Sequence, residues 1–285
     1  LLAGGDPFPI NPFDDFTPIR NEALERQILD SAQCLAVLKL LRVVRSVHRS
    51  IEKQNDFPLL KSLNARLDPL AALFNELDRC VDDEGEIKEN ASPELRQAIR
   101  EVQAAKQKLE SKVSKLFSNE NYKEAIQDIY HTEREGRLVI PVKSDKRSHI
   151  EGIVHDSSGS GQTLYVEPSS IVPLNNQLKI NRLAVDREKV LILQSLTRQV
   201  IDSSDTIAGN MEILVELDFI HARARLAKLM EARRCPIKSG CELQLNKARN
   251  PELILNRQDV IPNDIAWSES THVIMISGPN TGGKT

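Results

Sequence analysis

The sequence predicts a mainly α-helical chain with α+β parts: two long antiparallel helices carrying a small β-sheet, then the first strands of a separate α/β domain. Three observations predict it. Aromatics are only 4% of the chain, which suits long helices packed through Leu, Ile, Val and Ala. From Leu174 to Ala208 neither Gly nor Pro interrupts the chain, a run of about 35 residues or roughly 50 Å of helix. Between Arg137 and Val166, three short β-branched segments alternate with polar or glycine-rich turns.

The elements follow in order. Residues 1–20 hold Pro7, Pro9, Pro12 and Pro18 and read as an extended lead-in. From Asn21 to Ile51 apolar residues recur at Leu24, Ile28, Leu35, Leu38, Leu41 and Val44, the spacing of one amphipathic helix. A second helical piece runs from Pro58 to Cys80 and stops at Asp82-Asp83-Glu84-Gly85-Glu86. Ser92-Pro93-Glu94 opens a helix, with Ser as cap, Pro in the first turn and Glu at the positive dipole end. That helix carries Ile99, Val102, Ala105, Leu109, Val113 and Leu116, and is expected to resume from Tyr122 toward Glu133.

The three strands are Arg137–Lys143, His149–Val154 and Gln162–Val166, with Asp156–Gly161 as a mobile connector. The long helix after Pro173 keeps its stripe past Gly209 to about Arg234. Such length suits a projecting arm more than a compact globule. Glu242–Leu245 alternates as a strand, and Thr271–Ser277 is a near-continuous apolar run, as in a buried parallel strand.

At 285 residues the chain holds one large domain or two ordinary ones. A net charge of −3 excludes a basic nucleic-acid coat and an acidic tail. No apolar run is long enough for a membrane span, so no membrane partner is expected. Cys34, Cys80, Cys235 and Cys241 form no C-x-x-C pair and are expected to be reduced thiols of a cytoplasmic protein. The six histidines show no metal spacing, and the neighbours His155-Asp156-Ser157 do not make a triad.

The residues with the most specific chemistry are Gly278-Pro279-Asn280-Thr281-Gly282-Gly283-Lys284-Thr285, a match to G-x-x-x-x-G-K-[ST] directly after an apolar strand pattern. Glycines let successive N–H groups face a polyphosphate. Lys284 would reach the β- and γ-phosphates of ATP, and Thr285 would offer its hydroxyl to Mg²⁺. The chain is expected to be cut inside this motif. The catalytic acid and the water-positioning residue are unassigned, and the isolated chain is expected not to hydrolyse ATP.

The wording Gly-Pro-Asn-Thr-Gly-Gly-Lys-Thr resembles the MutS family of DNA-processing ATPases, and Thr281 resembles its second bacterial branch (MutS-two). So do Arg134–Lys143, Gly152–Pro168 and Val260–Ile265. The resemblance implies a homodimeric ATPase of the ABC type whose lever helices carry a β clamp. Residues 1–130 would then be core and lever helices, 131–173 the small clamp, 174–234 the returning lever helix and core, and 235–285 the start of a truncated P-loop ATPase domain. It further implies a nucleic-acid partner, branched DNA (suppression of homologous recombination) or stalled, collided ribosomes, and an endonuclease in a later Smr-like domain. Two positions depart from the pattern. Asn250 stands where the family usually has His, and Val260 stands where mismatch-repair members stack an aromatic on adenine.

Arg137, Lys143, Lys146 and Arg147 make the sheet region basic and are candidate phosphate contacts; the alternative is an ordinary solvated hairpin face. The same two readings apply to Arg223, Arg225, Lys228, Arg233, Arg234 and Lys238. Tyr165 is either a base-stacking ring or a half-buried strand aromatic. For the chain as a whole, the ATP-driven clamp competes with a non-catalytic dimerisation and binding module whose nucleotide site is vestigial, and with another kind of P-loop ATPase carrying a coiled arm.

Overall fold

The computed structural model describes residues 9–53, 57–237, 239–240, 242–256 and 259–275. They form two compact units, divided between Ile213 and Leu214.

In the first unit, Asp15 accepts from the Thr17 N–H at 2.9 Å and starts α1 (Phe16–Arg26), which ends where Gln27 turns left-handed at φ 55°. Then α2 (Ser31–Glu52) begins with a capping box. Asp30 accepts the Gln33 N–H at 2.7 Å while the Gln33 side chain accepts the Asp30 N–H at 2.9 Å. The single helix expected over residues 21–51 is therefore two. Leu24 falls on α1 and is 52% exposed, whereas Leu35, Leu38, Leu41 and Val44 are buried on α2. The piece expected over 58–80 is likewise two helices, α3 (Pro58–Asn64) and α4 (Ala71–Cys80). Between them the Asp68 backbone is clasped by the buried Asn210 side chain at 2.9 and 2.7 Å.

The Ser92 cap is as the sequence predicts. Its hydroxyl accepts the Leu95 N–H at 2.9 Å, and α5 (Pro93–Phe117) follows. The expected resumption toward Glu133 is only the four-residue α6 (Glu120–Lys123), because Ile126 bridges to Val142 and pulls the chain onto the sheet. The helix expected without a break from 174 is α7 (Val172–Asp202) and α8 (Ser204–Leu229), separated at Ser203. Helices α5 and α7 run antiparallel. Asn181 donates to the Glu101 carbonyl at 3.0 Å, and Leu178 shares a core with Leu109 further along α5.

The sheet has four strands, one more than expected: β1 (Thr132–Arg134), β2 (Arg137–Lys143), β3 (Gly152–Ser157) and β4 (Thr163–Pro168), in the antiparallel order β1-β2-β4-β3. Glu135 and Gly136 both have positive φ, 51° and 74°, which closes the two-residue β1–β2 hairpin. β3 begins later than the expected His149, which instead belongs to a 3-10 turn over Ser144–His149. Gly152 has a steric reason, since a Cβ there would overlap the Glu167 carbonyl oxygen.

One sheet face is apolar. Ile140, Val142 and Val166 pack with Ala105, Leu109, Val113 and Leu116 of α5, with Ile171, and with Leu178 of α7. Alternation along β2 and β4 leaves the opposite face for other chemistry.

In the second unit, β5 (Leu243–Ala248) pairs antiparallel with β6 (Asn263–Trp267), which agrees with the alternation seen at Glu242–Leu245. The short α9 (Pro251–Leu255) lies between them. Thr271–Met275 is not a strand, and Val273 and Met275 are 80% and 87% exposed. The expectation of a buried parallel strand fails over these residues, because no strand among the described residues flanks them to cover both faces. Ile276 and Ser277 lie outside the described residues.

Candidate functional site

The second face of the sheet collects the polar chemistry. Directly paired residues in an antiparallel ladder point to the same side, so the registers Arg134↔Arg137, Pro141↔Tyr165, Lys143↔Thr163 and Asp156↔Tyr165 place all these side chains on one face. The sequence singled out Arg137, Lys143, Lys146 and Arg147, and the structure gives them unequal roles.

Arg137 is engaged internally. Its Nε and one terminal nitrogen clasp Glu167 at 2.7 and 2.6 Å, and the Glu167 side chain is fully buried. Asn175 donates to the same carboxylate at 2.8 Å, and His155 Nε2 lies 2.8 Å from it. Asn175 also bonds both backbone groups of Leu138 at 3.0 Å, tying β2 to α7. Burial pushes the Glu167 carboxyl up, but hydrogen bonds from Arg137, Asn175 and His155 outweigh it and hold the group below its ordinary range. This cluster joins sheet to helix, and His155 has a structural part in it.

Arg147 donates to the backbone carbonyls of Ile150 and Gly152 and so staples the 3-10 turn to β3. Lys143 and Lys146 are half-buried, and neither forms an ion pair among the described residues. Of the four, Arg137 is matched by a carboxylate, while Lys143, Lys146 and Arg147 have no ion pair among the described residues.

Tyr165 is a half-buried strand aromatic, and Arg134 lies over its ring at 4.4 Å from the centroid. Arg134 is held by Asp156 at 2.8 Å, by Thr132 at 3.2 Å and by the Glu133 carbonyl at 3.0 Å. Tyr130 stands beside them, 43% exposed, and hydrogen bonding to Tyr165 raises its phenol above the ordinary value. Arg134, Tyr130 and Asp156 were not among the sequence candidates. The Glu135-Gly136 pair carried the signal, since a two-residue hairpin there puts Arg134 beside Arg137.

A groove between α5, α7 and the β1–β2 hairpin is lined by Lys106, Glu110, Glu133 and Arg182. Its cations are matched, Arg182 to Glu133 at 2.8 Å and Lys106 to Glu110 at 4.0 Å. It offers little net charge to a polymer.

In the second unit, Asn250 caps α9, accepting the Glu252 and Leu253 N–H groups at 2.9 and 3.4 Å. The amide at this position thus has a local structural role before Pro251. Val260 is half-buried in the segment that leads to β6. The phosphate-loop residues Gly278, Pro279, Asn280, Thr281, Gly282, Gly283, Lys284 and Thr285 lie outside the described residues, as does Lys238 of the second basic cluster. Arg223 of that cluster stacks on Phe219 at 5.5 Å.

Cys34 and Cys80 are buried and Cys235 exposed, all three as free thiols. Burial, followed by the Asp30 charge, pushes the Cys34 thiol up to about 12, the opposite of a nucleophile's environment. Among the described residues no group of three or more His, Cys, Asp and Glu could hold a metal ion. No helix among them is long and apolar enough to cross a membrane.

No protein-family profile matches the chain. Curated proteins match it along most of its length. An "Endonuclease MutS2" of Alkaliphilus oremlandii is 34% identical over 260 residues, covering 90% of this chain and 33% of that protein. One from Brevibacillus brevis is 40% identical over 232 residues, 81% of this chain and 29% of the relative. One from Bacillus velezensis is 35% identical over 282 residues, 96% of this chain and 36% of the relative. The chain thus spans about a third of the length of the curated relatives it matches. Over the residues so matched, it belongs to the MutS2 branch of the MutS family.

Proposed function

We propose that the chain is part of an ATP-dependent nucleic-acid clamp of the MutS2 type. In the complete protein, a homodimer in the bacterial cytoplasm, α5 and α7 act as levers and the four-stranded sheet as the clamp. Its targets are branched DNA, where it suppresses homologous recombination, and stalled or collided ribosomes. The observation that carries the reading is the similarity to MutS2 proteins over 81–96% of the chain. Two lysines without ion pairs among the described residues, Lys143 and Lys146, at a sheet packed against paired helices support it. The endonuclease of the relatives' names is assigned to a later Smr-like domain.

ATP and Mg²⁺ suit the residues at the end of the chain. Backbone N–H groups of the glycine-rich loop and the Lys284 ammonium would hold the phosphates, and the Thr285 hydroxyl would take the metal. The bound Mg-nucleotide supplies the phosphoryl chemistry. Val260 would offer the adenine an apolar contact without a ring.

The test uses the complete protein. ATP affinity is measured by calorimetry, and retention on branched DNA and on ribosomes is followed as salt rises. Lys284→Ala is expected to lower ATP affinity at least about tenfold, the loss of one charge-assisted phosphate contact. Polymer binding is expected to weaken steeply with salt. Unchanged ATP affinity in the variant would overturn the nucleotide reading, and salt-insensitive retention would overturn the phosphate contacts.

A further inference from the structure

We propose that the polar face of the four-stranded sheet is a stacking site for an unpaired nucleobase, with the Arg134 guanidinium and the Tyr130 ring as its platforms. This deepens the clamp reading and rests on it.

The first ground is pre-organisation. Asp156, Thr132 and the Glu133 carbonyl hold the Arg134 guanidinium while the Tyr165 ring lies beneath it at 4.4 Å. Its side chain remains 35% exposed. A planar group already fixed against one π-face presents its surface to a second without losing rotamer freedom on binding. Tyr130 hydrogen-bonds to Tyr165 of this layer and is itself 43% exposed. The face therefore offers flat apolar area beside a cation.

The second ground is charge. Asp156 offsets Arg134, and buried Glu167 offsets Arg137. Each arginine is matched by a carboxylate, so neither pair has net charge to give a phosphate. A neutral base, by contrast, gains from dispersion and cation–π contact with such a surface. Lys143 shares this face by register and Lys146 follows it in the chain, both without ion pairs among the described residues. They can hold the backbone on either side of a stacked base. Bases inside a duplex present no free π-face, so the site selects unpaired strand, as at a junction or in an RNA loop.

The experiment measures anisotropy of labelled oligothymidine, oligouridine, an abasic strand of equal length and a duplex, titrated with the whole chain at each of several salt concentrations. Oligothymidine is expected to bind about tenfold more tightly than the abasic strand, the scale of one stacked base. Tyr130→Ala and Arg134→Met are each expected to bring that ratio toward one, while Tyr130→Phe keeps it, because the ring and not the hydroxyl does the stacking. An unchanged unfolding midpoint in Tyr130→Ala excludes misfolding as the cause. The same ratio with oligouridine supports a site that reads bases in either nucleic acid, and a higher one assigns it to RNA. Equal affinity for thymidine and abasic strands, or a ratio that survives Tyr130→Ala, overturns the proposal. If duplex and abasic strands then still bind with salt dependence, the clamp reading stands alone. If no strand binds at any salt, both fall.

Discussion

Glu167 shows how one side chain couples sheet to helix. It is fully buried and engaged by Arg137, His155 and Asn175, the last from α7. Removing one partner of such a pair leaves a buried charge uncompensated, so Arg137→Ala should cost about 3–5 kcal/mol in urea unfolding. Arg137→Lys should recover little, since an ammonium cannot reproduce the two-pronged contact. The pH dependence has a definite sign. Because the folded carboxyl lies below its ordinary range, its contribution is complete above the unfolded pKa and is lost as pH falls through the folded one. Wild-type stability should therefore drop on acidification below the usual carboxylate range, and a Glu167→Gln variant should show a shallower drop. None of this was legible in the residues one at a time. Val166-Glu167-Pro168 reads as an ordinary strand end, and only the fold shows what surrounds it.

Helix starts were legible where a side chain caps its own backbone. Ser92 declares α5, and the structure gives it that role. Asp30 and Gln33 form an equally local signal, yet the apolar spacing across residues 21–51 conceals it, and one expected helix became α1 and α2. Helix α5 also separates cap from core. Ser92→Ala should cost about 1 kcal/mol, whereas Leu109→Ala, within the sheet-facing core, should cost about 2–5 kcal/mol. Comparing the two midpoints in one denaturant series checks the ordering, and equal losses would mean that α5 is not held by its packing. The fourth strand was missed for a related reason. β1 is three residues long and carries no apolar run, so its existence depends on the Glu135-Gly136 turn folding it onto β2.

For the complete protein the decisive measurement is electrostatic. Lys143 and Lys146 have no ion pairs among the described residues, and under the clamp reading each neutralises one phosphate. Replacing both by Ala should reduce the slope of log affinity against log salt by about 1.4–1.8, twice the per-contact value of 0.7–0.9. Replacing Arg147, bonded to two backbone carbonyls, should act mainly through stability. A slope unmoved by the double substitution would place the polymer elsewhere on the molecule.

The amino-acid order settled whatever depends on near neighbours: the Ser92 cap, the long helical runs, the β-branched segments of β2 and β4, and the phosphate-loop pattern that resembles the family to which the matched relatives assign the chain. These are short-range regularities, readable from period and spacing. Folding decided which charges are consumed. Arg137 and Lys143 look alike in sequence and share a strand face, but a carboxylate brought in from β4 neutralises the first and leaves the second. The apolar run over Thr271–Met275 carries the complementary lesson, because a strand is buried only by neighbours that lie elsewhere in the chain.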